Sequence, residues 1–412
     1  MKKILVIGIN YFPEITSTGL YTTEMVEYLK DKYQVEVLTG FPYYPQWEIY
    51  YSYIDKPNFY QENIHGVNVY RYKQYVPKKI TAFNRLRHLY DFYKGSTKIA
   101  LKKKEKFDML FVVVPTLFSA KTALKLKDNN PKAKLWLHIQ DFEVDAMFES
   151  ELLNNRKVIK KLGYWWEKRI YSKFDVISSI SEGMLKKLEL KDVEKNKIFF
   201  LPNWADTNQF HIIEKPKFRK EMQLSDKFVI MYAGSIAEKQ DWEIVMETAK
   251  KLRNKEEIIF IIIGNGSKRS YLENYIKDNH LKNIKLLDVQ PKEKLNDILS
   301  SADIHIIPQK RDVIDSVMPS KFLGIASVGK PSLVLANSKS DIYRVVKENE
   351  LGIALNEKEY DILADIITRF PYNQNELQKY GENARKYVEK IYKKEKILDN
   401  LIEKIDIILS NT

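Results

Sequence analysis

Apolar residues in this chain come in short, closely spaced runs separated by amphipathic or polar stretches. Lys3-Ile-Leu-Val-Ile-Gly-Ile9 is a continuous apolar run of the length of a strand buried on both faces. Comparable runs follow at Val35–Thr39, Val67–Arg71, Met109–Val114, Lys134–Ile139, Val176–Ile180 and Lys197–Leu201. Enough chain lies between successive runs for a helix or a loop, the alternation of a doubly wound parallel sheet. The pattern restarts at Phe228–Gly234 and repeats at Ile258–Ile263, Ile284–Leu287, Ile304–Ile307 and Ser332–Ala336. Helices are predicted at 241–253, 268–280, 292–301, 319–328 and 341–349, and one or two amphipathic helices at 375–410. The turn formers of Pro202–Asn208 separate the two series. An α/β fold of two Rossmann-like domains is therefore expected, each with its site on the loops beyond the carboxyl ends of its strands.

The length of 412 residues suits two such domains. No stretch has the apolar length of a membrane span, and the opening strand is followed at once by Tyr-Phe-Pro-Glu, without a small-residue cleavage site. A cytoplasmic protein is expected. The absence of cysteine removes disulfides, thiolate zinc sites and cysteine nucleophiles together.

The formal net charge of +13 is local in origin, since residues 71–106 hold twelve Lys and Arg against two Asp and Glu. Within this segment Phe83, Leu86, Leu89 or Tyr90, and Tyr93 recur at helical spacing, with Arg85, Arg87 and Lys94 among them and Lys102, Lys103, Lys104 and Lys106 beyond. Residues 81–106 read as a basic amphipathic helix with interleaved aromatics, suited to an anionic membrane surface. A solvated helix packed on a domain core fits the same pattern. No zinc-finger spacing, RNP motif or helix-turn-helix pattern accompanies the charge, so no nucleic acid is expected as a partner.

Three post-strand loops of the second half share one chemistry. Gly264-Asn265-Gly266 lets the backbone approach a ligand ahead of a helix start. Gly234-Ser-Ile-Ala-Glu-Lys239 supplies Lys239, a point charge for a diphosphate. Met318-Pro-Ser-Lys321 places Ser320 and Lys321 where a helix begins, with Asp312 and Asp315 just upstream. Singly, each also fits a plain turn or helix start; together they point to diphosphate capture. In the first half, His138 ends a strand and is followed by Asp141, Glu143 and Asp145 at the predicted cleft position. A structural histidine fits that place as well. The carboxylates are not read as a metal site, because no complementary ligand set accompanies them.

These residues, as a set, resemble the retaining glycosyltransferases of family 4, which have the GT-B fold. The resemblance runs through Gly8-Ile-Asn-Tyr-Phe-Pro-Glu14, Gly19, Pro42-Tyr-Tyr-Pro45, His138-Ile-Gln-Asp141, Pro202-Asn203, Glu238-Lys-Gln240, Gly264-Asn-Gly266 and Val317-Met-Pro-Ser-Lys321. It is nearest to the bacterial branch of colanic-acid and O-antigen glycosyltransferases that includes L-fucosamine transferases.

The resemblance implies two facing Rossmann-like domains, an acceptor domain at 1–202 and a donor domain at 203–380, with a helical segment at 381–412 crossing back to the first. It implies Gly19 in a loop near the donor diphosphate, His138 beside the donor sugar, Lys239 on the diphosphate, Gly264 and Gly266 around the nucleotide, and Gln290 bordering the base. His138, Asp141 and Asp315 are the expected catalytic residues, and Ser320 and Lys321 the expected phosphate ligands. No metal and no cofactor are expected, since the nucleotide sugar is a substrate and lysines with helix-start amides stabilise its departing diphosphate. The implied reaction moves an N-acetylated deoxyhexosamine such as L-FucNAc from a UDP-sugar to a polyprenyl-diphosphate-linked or oligosaccharide acceptor. Residues 81–106 are then expected to hold the enzyme at the inner face of the plasma membrane. Two features depart from the family. Its paired glutamates fall on Ser316 and Gly324 when counted back from Pro331, with the first moving to Asp312 when counted forward from Pro308. Ser235 stands where an arginine is usual. A nucleotide-sugar 2-epimerase, and a non-catalytic GT-B scaffold or RNA-binding protein, remain alternatives.

Overall fold

The structure is a computed structural model of the full chain and describes residues 1–15, 17–103, 105–114, 117–142, 157–313 and 319–410. The chain divides into two compact units, residues 1–202 with 398–412, and residues 203–397.

The first unit is built on an eight-stranded sheet of order β3-β4-β2-β1-β5-β6-β7-β8. Its strands are β1 (Lys3–Ile7), β2 (Gln34–Gly40), β3 (Phe59–Ile64), β4 (Val67–Tyr72), β5 (Met109–Val114), β6 (Lys134–Ile139), β7 (Val176–Ser179) and β8 (Ile198–Phe200). The central strands are parallel, with Val6 beside Val37 on one side and Phe111 on the other. Every residue of β5 is buried, which is why it reads as an unbroken apolar run. The edge strand β3 runs antiparallel to β4 and joins it through His65-Gly66, both at positive φ (51° and 87°). That is the two-residue connection a right-twisted hairpin prefers. The sequence reading lacks β3 because only one face is covered, and its side chains alternate between exposed and half-buried until Ile64. The principal helices of this unit are α1 (Ser17–Leu29), α2 (Ala82–Lys102), α3 (Leu117–Asn129), α4 (Lys157–Tyr171) and α5 (Glu182–Leu190).

The second unit holds a six-stranded, all-parallel sheet of order β11-β10-β9-β12-β13-β14. The strands are β9 (Phe228–Ala233), β10 (Ile258–Ile263), β11 (Ile284–Leu287), β12 (Ile304–Pro308), β13 (Ser332–Leu335) and the unforeseen β14 (Gly352–Leu355). Helices α6 (Trp242–Lys251), α7 (Arg269–Asp278), α8 (Ser320–Ser327), α9 (Asp341–Glu348) and α10 (Gln374–Ile391) belong to it. Position 381, at which the third segment was expected to start, lies inside α10.

The last helix, α11 (Lys394–Ser410), docks on the first unit through its residues from 398 onward. Leu398, Leu401 and Ile405 are fully buried there. Tyr28 Oη donates to Asp399 and Tyr33 Oη to Asp406, each at 2.7 Å.

One charge reading is corrected. The basic amphipathic helix read over 81–106 ends at Lys102 as α2, packed on the core through Leu89, Phe92 and Ala100, and Lys103 turns inward to pair with the buried Glu36.

Candidate functional site

Strand order reverses about β9 in the second unit, and the loops that leave β9, β10 and β12 meet at that point, where such sheets bind ligands. Beyond Ala233 the chain turns at Gly234 and runs against Gly264-Asn265-Gly266. Ile236 N donates to Asn265 O at 2.9 Å, and Lys268 N to Ile236 O at 3.0 Å. Contact is so close that a β-carbon on Gly264 would stand 1.9 Å from Gly234 O, and one on Gly266 2.3 Å from Ile236 O. Both glycines also have positive φ (152° and 154°), so no other residue fits either place. The β12 loop is stitched on by Asp241 N to Pro308 O (3.0 Å) and Lys310 N to Lys239 O (3.0 Å).

Lys321, in the first turn of α8, reaches into this junction. Its Nζ donates to Tyr232 Oη at 2.7 Å and sits 4.2 Å from the centre of that ring. It also lies 3.3 Å from where a β-carbon on Gly234 would be. Burial, and after it the nearby Lys239, lowers the Lys321 pKa to about 7. Among the described residues no carboxylate pairs with this ammonium, and an anion placed beside it restores its ordinary basicity. α8 begins after Pro319 with no side-chain cap, so its first-turn amides add partial positive charge. Lys239 is exposed on the turn beside Glu238. Glu238 holds Lys268 (3.0 Å) and Lys310 (3.5 Å), and those cations keep its carboxyl below the usual range.

Ser320, Asp312 and Gln290 follow strands of this sheet as well. Ser320 is exposed at the start of α8, and Asp312 is exposed in the β12 loop. Gln290 folds back on its own loop, donating to Asp288 O at 2.9 Å. Arg269 ties that loop to Gly264, pairing with Asp288 at 2.9 Å and donating to Leu287 O and Gly264 O. Asp315, with Ser316, Val317 and Met318, lies outside the described residues. Tyr232 was missed, because a strand-end tyrosine carries no local signal; Lys268, just after the Gly264-Asn-Gly266 turn, and Lys310, in the resembling Pro308-Gln-Lys310 stretch, were not assigned a role of their own.

In the first unit His138 ends β6 and is buried. Gln140 Nε2 donates to its Nε2 at 2.8 Å, which leaves the proton on Nδ1 to donate to Ser178 Oγ at 2.9 Å. Trp136 Nε1 donates to the same hydroxyl at 2.8 Å. Burial lowers the His138 pKa to about 3, so it is a neutral hydrogen-bonding group and not a carrier of positive charge. Asp141 is exposed in the loop after β6, while Glu143 and Asp145 lie outside the described residues.

Gly19 is in the first turn of α1 and not in a loop, which corrects its expected setting. It packs so closely on Glu14 that a β-carbon there would stand 2.9 Å from Glu14 Cβ. The buried Glu14 was not singled out from the sequence, yet it organises this corner. Its carboxylate accepts from Tyr43 N, Tyr44 N and Asn10 Nδ2, each at 2.8 Å, pinning the β2 loop to the β1 loop. Burial raises its pKa, and those three donors oppose the rise.

Comparison with known proteins gives this geometry a family. Residues 17–204 match the glycosyl transferase 4-like domain, and residues 214–387 match the glycosyl transferases group 1. The chain is 34% identical, over 98% of its length and 99% of the relative's, to a protein of Escherichia coli (strain K12) whose name assigns it to colanic acid biosynthesis as the glycosyl transferase WcaI. The chain belongs to this glycosyltransferase family. The glycosyltransferase is also 22% identical, over 94% of its length and 93% of the relative's, to the uncharacterized glycosyltransferase MJ1069 of Methanocaldococcus jannaschii. Its fold matches that of a sucrose-phosphate synthase from Thermosynechococcus elongatus with a TM-score of 0.76, at 13% identity over the whole of both chains. A structure of Anabaena Alr3699/HepE in complex with UDP and glucose matches with a TM-score of 0.69, at 11% identity over 98% of this chain and 100% of that one. The fold is GT-B.

Proposed function

We propose that this glycosyltransferase transfers a sugar, with retention of configuration and without a bound metal, from a UDP-linked donor to a lipid-linked or oligosaccharide acceptor. The observation that carries the donor reading is Lys321, a cation poised beside Tyr232, Gly234 and Lys239 with no carboxylate paired to it among the described ion pairs. In the proposed reaction the bond from the anomeric carbon to the diphosphate oxygen breaks, and the acceptor oxygen bonds to the same face. The acceptor's proton passes to the departing diphosphate. Lys321, Lys239 and the first-turn amides of α8 stabilise the charge that develops on that diphosphate, which is the largest share of catalysis in a transfer of this kind. His138, neutral and bonded through both ring nitrogens to Ser178 and Gln140, serves as a positioning group that orients Gln140 at the end of β6. The similar structure that holds UDP supports a uridine nucleotide. The colanic acid relative supports a role in bacterial surface polysaccharide assembly, with an N-acetylated deoxyhexosamine such as L-FucNAc as the sugar and a polyprenyl-diphosphate-linked acceptor. No helix among the described residues is long and apolar enough to cross a membrane, and we place the enzyme on the cytoplasmic face as a peripheral protein.

The experiment is thermal shift and calorimetry with UDP, GDP, ADP and dTDP in the presence of a chelator. A melting rise with UDP alone is expected, because a ligand that binds only the folded state must raise its stability. Loss of that rise in both Lys239→Ala and Lys321→Ala is expected as well. Unchanged UDP affinity in both variants overturns the donor site, and no response to any nucleotide overturns the function.

A further inference from the structure

Among the exposed large apolar side chains of the first unit, Phe83, Tyr90 and Leu101 lie on α2 and Leu162 and Trp165 on α4, two helices that both pack on α3. On α2 the exposed positions include Phe83, Arg87, Tyr90, Lys94 and Lys98, which recur every three or four residues and so form one stripe. Phe83 is 75% exposed. On α4 the exposed positions Leu162, Trp165 and Arg169 form a second stripe, with Leu162 and Trp165 at 60% and 59% exposure. α3 joins the two. The Phe118 ring lies 5.7 Å from Tyr90 and 6.0 Å from Tyr93 on α2, and 5.6 Å from Trp166 on α4. Cations sit over this aromatic seam: Lys94 on Tyr90, Lys121 on Tyr93 and Trp166, Lys125 on Tyr93, and Arg169 on Trp165.

The acids of these helices do not offset that charge. Asp91 accepts from Tyr75 N (2.8 Å) and Tyr72 Oη (3.3 Å), and Glu167 is buried with Lys191 and Tyr171. Asp128 stands apart in the last turn of α3.

Resting on the membrane part of the function proposed above, we infer that the α2–α3–α4 face is a platform for an anionic bilayer. In this arrangement Phe83, Leu162 and Trp165 enter the headgroup boundary while the lysines and arginines meet lipid phosphates. The chemistry fits one occupant: large aromatic and aliphatic side chains flanked by long cationic ones are what an anionic bilayer interface binds, through apolar burial plus charge. The platform differs from the basic segment read in the sequence. It excludes Lys103, which serves Glu36, and it recruits two helices outside residues 81–106.

The test uses the full chain with unilamellar vesicles of phosphatidylcholine, with and without about one third phosphatidylglycerol, at low salt. The protein should co-sediment with the anionic vesicles and release on raising salt. A variant carrying Phe83→Ser, Leu162→Ser and Trp165→Ser should bind at least tenfold more weakly while keeping its UDP-induced melting shift. Lys102→Gln should change binding less than twofold. Brominated lipids should quench a fluorescence component that is missing in Trp165→Phe. Wild-type binding by the triple variant, equal binding to neutral vesicles, or unquenched Trp165 overturns the platform. So does a protein that associates through this face into a dimer that the triple variant cannot form. A chain that binds UDP and no vesicles refutes the platform alone; one that binds neither refutes the donor reading too.

Discussion

Lys321 gives nucleotide binding a pH dependence of defined sign and size. Free of ligand, its pKa is about 7, and a diphosphate beside its ammonium raises it well above that. The form ready for an anion is the protonated one, so apparent affinity scales with the protonated fraction. That fraction falls from about 0.9 at pH 6 to about 0.09 at pH 8, a tenfold loss of affinity worth ~1.4 kcal/mol. UDP itself titrates in this range, which the Lys321→Met variant corrects for: the ratio of wild-type to variant affinity cancels the nucleotide's own ionisation. Calorimetry in two buffers of different ionisation heat counts protons directly. Uptake on binding should be about 0.9 proton at pH 8 and about 0.1 at pH 6, and that pH-dependent part should vanish in Lys321→Met. The unliganded protein provides the linked check. The unfolded chain keeps this proton up to pH 10.5 and the folded one releases it near 7, so wild-type stability rises with pH between those values. Lys321→Met should lack that rise. An affinity ratio that is flat from pH 6 to 8, with equal proton uptake in both proteins, refutes the reasoning.

Three further outcomes are expected. Gly264→Ala should lower unfolding free energy by more than ~3 kcal/mol in urea titration, since its β-carbon meets Gly234 O at 1.9 Å; Gly66→Ala, with positive φ but open space, should cost only ~1–2 kcal/mol. Equal costs would mean that the loops are not in contact. Ile405→Ala on α11 should cost ~2–5 kcal/mol, and Ile407→Ser, at a half-exposed position of the same helix, less than about 0.5 kcal/mol, both by urea titration; similar costs would undo the docking of α11 on the first unit. Nitrogen NMR of labelled histidine should show His138 neutral with its proton on Nδ1 from pH 5 to 8, and no limb of the pH–rate profile should belong to it; a titration near its ordinary value would refute the buried arrangement.

What the sequence made legible follows from burial. Parallel strands covered on both faces, such as β5 and β10, appear as unbroken apolar runs and were placed to within a residue. The edge strand β3 and the four-residue β14 lack that signal, and for β3 the available cue was the His65-Gly66 turn. Glycines at positions 264 and 266 were legible because a strand and a helix bracket them. The basic run was half misread, because a charge count over a segment does not record which side each lysine takes, and Lys103 takes the inner one.

The donor site was legible in its parts but not in its assembly. Lys321 was visible as a helix-start lysine, but its partner Tyr232 lies 89 residues earlier, and nothing local links them. The same distance problem governs the absent acids. Counted along the chain, Gly324 looks like a vacated carboxylate position. In the fold, a β-carbon at 324 would meet Leu299 Cδ1 at 3.4 Å, an ordinary contact with a buried leucine. One turn earlier on the same helix, Lys321 occupies the junction at Gly234 instead. α8 thus turns Lys321 to the donor loops while position 324 meets a packed leucine, a division of the helix that counting along the chain does not reveal.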